Sequence, residues 1–130
     1  MIRLTRVDRY SIHLQFDYDG ARSLLEAFRH ALENEKLPVG VEVELSVFTR
    51  KRSSRVEKAL FYIIESDQPS HMEKYAKNEI YLFLEREELE DATDRFRACI
   101  KDRYFFPAEL CEVYTGKMKA RDYVYCELIG

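Results

Sequence analysis

The segment SIHLQF, residues 11–16, places Ile12, Leu14 and Phe16 on one side of an extended chain and Ser11, His13 and Gln15 on the other, and the same figure returns at Ile80, Leu82 and Leu84. Strict alternation marks a strand with one buried face. The parallel runs on. Glu85 and Glu87 follow the second strand as Asp17 and Asp19 follow the first, Phe96-Arg97 answers Phe28-Arg29, and Ile100 answers Leu32. A chain that repeats its own pattern builds one supersecondary unit twice and shares a core between the copies. The 130 residues suffice for one such core and are short for two ordinary domains. The expectation is a single domain over residues 1–130, with units at about 2–66 and 79–129.

Within the first unit, Leu24, Leu25, Phe28 and Leu32 recur at helical spacing, with Glu26, Arg29 and Glu33 on the other side, which predicts an amphipathic helix to about Glu35. Pro38 and Gly40 close it. Val41, Val43, Leu45 and Val47 then alternate with Glu42, Glu44 and Ser46, and ALFYIIE is apolar on both faces. Ile2 and Leu4 suggest a shorter strand ahead of SIHLQF. The second helix buries Leu89, Ala92, Phe96, Cys99 and Ile100 and runs from acidic to basic, as the helix dipole favours. Two strands follow, near Leu110–Tyr114 and Tyr123–Ile129. The expected fold is α+β, a mainly antiparallel sheet with two helices on one face, built from two strand-helix-strand-strand units, the first carrying an extra N-terminal strand.

The stretch FDYDGA, residues 16–21, resembles the opening motif of haloacid-dehalogenase-type phosphatases, which implies a nucleophilic Asp17 and a proton-handling Asp19 beside magnesium. That chemistry needs a buried parallel strand delivering its aspartates to a dry crevice, and such strands are apolar on both faces. SIHLQF is not, and Ala21 stands where the family has threonine or valine. Acids just ahead of each helix read better as caps, satisfying free N–H groups at the positive end of the dipole.

His13, His30 and His71 lack any metal-ligand spacing, and Cys99, Cys111 and Cys126 are too few and too far apart for a disulfide framework or a CxxC site. No catalytic residue, metal or cofactor is therefore assigned. The run RKRSSR, residues 50–55, reads as a solvated hairpin tip rather than a phosphate grip. A net charge of -3 gives no basic excess for nucleic acid. No apolar run is long enough to cross a bilayer, and MIRLTRVDRY lacks a signal-peptide core, so a cytoplasmic protein with no membrane partner is expected.

One feature asks for a partner. Leu60–Ile64 and Ile80–Leu84 are apolar on both sides; with Tyr62, Leu82 and Leu84 under the helices, Phe61, Ile63, Tyr81 and Phe83 face outward, joined by Phe48 and Tyr123. Such a patch exceeds what a monomer ordinarily exposes. The expected cover is a second copy of the chain, a homodimer made face to face, with another protein partner or a fold-back of the N-terminal strand, HMEKYAK or the C-terminus as the other covers, and an apolar ligand pocket as the reading if the patch is concave.

Residues 2–66, and FDYDGARSLLEAF above all, resemble small immunity proteins of bacterial polymorphic toxin systems. The resemblance implies a non-enzymatic, protein-binding role and carries over no binding residue. The rival reading is a metal-dependent enzyme or ligand carrier of the vicinal-oxygen-chelate type, also built from paired modules, for which only His13 holds a suggestive strand position.

Overall fold

The computed structural model describes residues 1–33, 38–47, 55–76, 78–115 and 120–130. The elements run β1 (Ile2–Arg6), β2 (Ser11–Phe16), α1 (Tyr18–Glu33), β3 (Val41–Val47), β4 (Arg55–Glu65), β5 (His71–Ala76), β6 (Glu79–Leu84), α2 (Arg86–Asp102), β7 (Glu109–Thr115) and β8 (Ala120–Leu128). The strands close into a barrel in the order β1-β2-β8-β7-β5-β6-β4-β3.

This overturns the expected open, mainly antiparallel sheet with both helices on one face. Four neighbour pairs are antiparallel hairpins, β1-β2, β3-β4, β5-β6 and β7-β8, and four are parallel, β1-β3, β2-β8, β4-β6 and β5-β7. Each half supplies a four-stranded set, β4-β3-β1-β2 and β6-β5-β7-β8, whose outer strands have no further partner in their own half. Joining β2 to β8 and β4 to β6 satisfies both edges, which an open sheet would leave unpaired.

The second half carries its own leading strand. HMEKYA forms β5 and pairs with β6 as β1 pairs with β2, so the second unit begins at His71 rather than near residue 79. Each half is a strand-strand-helix-strand-strand unit, and the pairing pattern of one maps onto the other.

One face of every strand but β5 supplies buried side chains, among them Leu4, Leu14, Val43, Phe61, Leu82, Val113 and Val124, and these merge with Leu24, Phe28, Leu89 and Phe96 of the helices in a single core. At its centre Phe96 meets Phe16, Phe28 and Phe105 at ring-centroid distances of 5.3, 5.2 and 5.0 Å. The other face of the sheet carries the polar members of each alternation and is called the open face below. No helix among the described residues is long and apolar enough to cross a membrane.

The start of α1 is a cap. Asp17 accepts the Gly20 N–H at 2.8 Å on its carboxylate and the Ala21 N–H at 2.9 Å on its carbonyl. Glu85, ahead of α2, makes no such side-chain bond; the Ser70 hydroxyl, from the loop between β4 and β5, instead accepts the Glu85 N–H at 3.2 Å. The cap expected from the repeat thus holds at Asp17 and not at Glu85.

Gly20 is also where α1 touches β1. A Cβ there would collide with the Met1 carbonyl oxygen and stand 2.9 Å from Ile2 Cγ1 and 3.1 Å from Phe16 Cβ. The carbonyl cannot withdraw freely, because it accepts the Asp17 N–H at 3.1 Å. Gly20→Ala is expected to destabilise by about 1–2 kcal/mol despite the better helix propensity of alanine, since overpacking against fixed backbone outweighs it. Chemical denaturation checks this; an unchanged or raised midpoint would show that β1 yields.

Candidate binding face

β4 and β6, the two strands apolar on both faces, are parallel neighbours in the barrel, a setting in which such sequences belong. Their register decides the surface. Phe61 stands opposite Ile80 and Ile63 opposite Leu82, on the core side; Tyr62 stands opposite Tyr81 and Ile64 opposite Phe83, on the open side.

The expected outward set is therefore corrected in part. Phe61 and Ile63 lie in the core, 1% and 3% exposed. Tyr62, expected beneath the helices, lies with Tyr81 and Phe83 on the open face. Tyr123 is on β8, opposite Ser11 and Glu112, two strands removed from β5. Phe48 lies outside the described residues, as do residues 50–54 of the basic run.

β5 completes the surface. His71 pairs with Phe83 and Glu73 with Tyr81 across the antiparallel β5-β6 ladder. The register then slips between Lys74 and Ala76, and Tyr75 occupies the bulge. Its ring shares the face of His71 and Glu73 and stands edge-on to Tyr81, centroids 4.7 Å apart at 87°, itself 61% exposed.

Five rings make one connected ladder. Tyr62 stacks on Tyr81 at 4.7 Å and 15°, Tyr81 on Phe83 at 6.1 Å and 17°, and His71 on Phe83 at 4.5 Å and 9°, with Tyr75 against the edge. Side chains that support one another in this way are held in place before any partner arrives, which lowers the ordering cost of binding.

Carboxylates border the ladder. Tyr81 donates its hydroxyl hydrogen bond to Glu79 at 3.2 Å. Desolvation, followed by the Glu79 bond, raises the Tyr81 phenol above its ordinary range; the nearby Glu73 carboxylate, followed by desolvation, raises that of Tyr75. Both phenols stay neutral near neutral pH and keep their carboxylates as acceptors.

The remaining sequence candidates do not converge. His13 lies on β2 beside Tyr125, His30 on α1 and His71 on β5. Among the described residues no group of three histidine, cysteine or acidic side chains is placed to hold a metal ion. The three cysteines are free and buried. Burial pushes the Cys111 and Cys126 thiols far up, and Cys99 upward as well, which suits packing rather than nucleophilic chemistry.

A cleft of about 350 Å³ lined by His13, Tyr104, Phe105, Tyr125 and Glu127 opens elsewhere, beside the segment between α2 and β7. It brings one imidazole and one carboxylate together with no nucleophile whose reactivity its surroundings raise.

Sequence reasoning missed Tyr62, His71, Glu73, Tyr75 and Glu79. The signal for β5 was present: HMEKYA alternates on its own and stands to the second unit as IRLTR stands to the first. Comparison with known proteins places the chain beside none of them: no family model, no curated protein and no solved structure matches it.

Proposed function

We propose that the protein is a non-enzymatic interaction module and that the open face of β4, β6 and β5 is where it meets its partner. The observation that carries this reading is the ladder of Tyr62, Tyr81, Tyr75, Phe83 and His71, preassembled yet uncovered at Tyr75. Aromatic side chains in rigid, partly desolvated clusters are the usual anchors of protein interfaces. The resemblance of residues 2–66 to small immunity proteins fits such a role, with a toxin as the partner in that case.

A second copy of the chain is the competing occupant. An isologous pairing through this face would bring two patches bearing Glu73 and Glu79 against each other, and like charge opposes it.

Tagged protein isolated from its native cells after cross-linking, as wild type and as Tyr75→Ser/Tyr81→Ser, tests the assignment. Loss of the ring contacts is expected to weaken partner retention by roughly tenfold or more, the scale of an interface hot spot. The cost to folding should be about 1–2 kcal/mol, the worth of two aromatic pairs. Equal retention by both proteins would remove the face from the account. Light scattering separates the occupants: a dimer that the double substitution dissolves identifies a second copy, and a monomer identifies a different molecule.

A further inference from the structure

We propose that the ladder receives an arginine side chain presented by a different protein. The inference rests on the interaction-module reading and names the chemistry of its partner.

Charge and rings coincide on this part of the open face. On β3 and β7 the acids are neutralised within the chain: Glu42 pairs with Lys58 at 3.6 Å, Glu44 with Arg3 at 3.4 Å and Glu112 with Arg121 at 3.0 Å. Glu127 of β8, opposite Gln15, has no ion pair among the described residues, but it stands apart from the ladder. Among the described residues Glu73 and Glu79 have no lysine or arginine within ion-pair distance; the only cationic candidate near either is the His71 ring, 3.8 Å from Glu73. Both acids sit beside Tyr81, Glu73 across the β5-β6 ladder and Glu79 two residues before it. The Tyr81 hydroxyl occupies Glu79 Oε2 and leaves Oε1 for another donor.

A guanidinium answers this arrangement better than an ammonium. Its plane stacks on aromatic rings while its fork of N–H donors reaches carboxylates at the ring's edge. Tyr75 offers the exposed ring and Glu73 the nearest carboxylate, 42% exposed at its side chain. A lysine would gain the charge attraction but lose the stacking and the fork.

The experiment is an anisotropy titration of fluorescein-labelled octa-arginine and octa-lysine with the wild-type protein and three variants. Glu73→Gln/Glu79→Gln removes the two acids that have no lysine or arginine beside them among the described residues, and Tyr75→Leu removes the exposed ring. Glu33→Gln/Glu87→Gln removes the same charge from the helices. Saturable binding of octa-arginine is expected, at least about threefold tighter than octa-lysine. The ladder double variant should lose about tenfold and Tyr75→Leu several-fold, with the helix variant within about twofold of wild type.

Absence of saturable binding, equal affinity for the two peptides, or an equal loss in the helix variant would overturn the proposal, the last by showing a general attraction to an acidic protein. A homodimer dissolved by Tyr75→Ser/Tyr81→Ser would overturn it too. A partner still lost from that variant while octa-arginine fails to bind would leave the interaction module standing and remove only the arginine.

Discussion

Phe96→Ala is expected to lower the stability of the protein by about 4 kcal/mol, the upper range for truncating a buried aromatic side chain. Phe96 is 0% exposed and its ring touches Phe16 of β2, Phe28 of α1 and Phe105 beyond the end of α2. It thereby joins both helices and the sheet at one point, and the residues around the void are anchored in three separate elements that cannot close in together. A shift of the urea midpoint with an unchanged slope would show this cost in the native state. A loss below about 1 kcal/mol would mean that the helices are not held to the sheet through this ring cluster.

The second large effect is electrostatic. Asp122 is 2% exposed on β8, receives both Arg6 nitrogens at 2.9 and 3.0 Å, and accepts the Thr115 hydroxyl at 2.8 Å. Arg6 ends β1 and Asp122 opens β8, with β2 between them, so the pair spans the seam where the two halves join. Burial alone would raise the Asp122 carboxyl, but the bonds from Arg6 and Thr115 outweigh it and hold the acid below the ordinary carboxylate range.

Asp122→Ala strands the Thr115 hydroxyl and one side of a guanidinium that water reaches in part, which discounts the usual penalty for a broken buried pair to about 2 kcal/mol. The pH dependence follows from the lowered value. The stabilisation is complete above the ordinary carboxylate range and is lost as pH falls through the depressed folded-state value. The gap in stability between wild type and Asp122→Asn should therefore be constant from neutral pH down to that range and shrink in stronger acid. A gap that instead widened on acidification would contradict the assignment.

The local text of the chain was a good guide wherever burial has a short period. The alternations of β2 and β6, the apolar stripes of both helices, the matched burial of Phe28 and Phe96, and the cap at Asp17 all follow from spacing within a few residues. Pairing was not legible in the same way. Every parallel neighbour is separated in sequence by at least one other element, and alternation says nothing about which distant strand a given strand will meet.

The face of a doubly apolar strand is undecidable from its own residues for a related reason. ALFYIIE can turn either Phe61 or Tyr62 inward with little change in buried carbon. The parallel register with β6 settles it, setting Phe61 beside Ile80 and leaving Tyr62 to stack on Tyr81. Tyr75 follows His71 and Glu73 in the two-residue period of β5 and was missed together with that strand. The candidate site was half visible, at Tyr81 and Phe83, because they put aromatic rings where the first copy of the strand has His13 and Gln15.

A photo-activatable phenylalanine derivative at position 75, with a second protein carrying it at position 104, gives the most direct test of the ladder as a binding face. Tyr104 is 60% exposed and Tyr75 61%, so the two sites sample solvent alike while lying in different parts of the molecule. Illumination in the native cells should yield a discrete cross-linked species from position 75 and none from position 104. The same species from both positions, or none from position 75, would contradict the assignment.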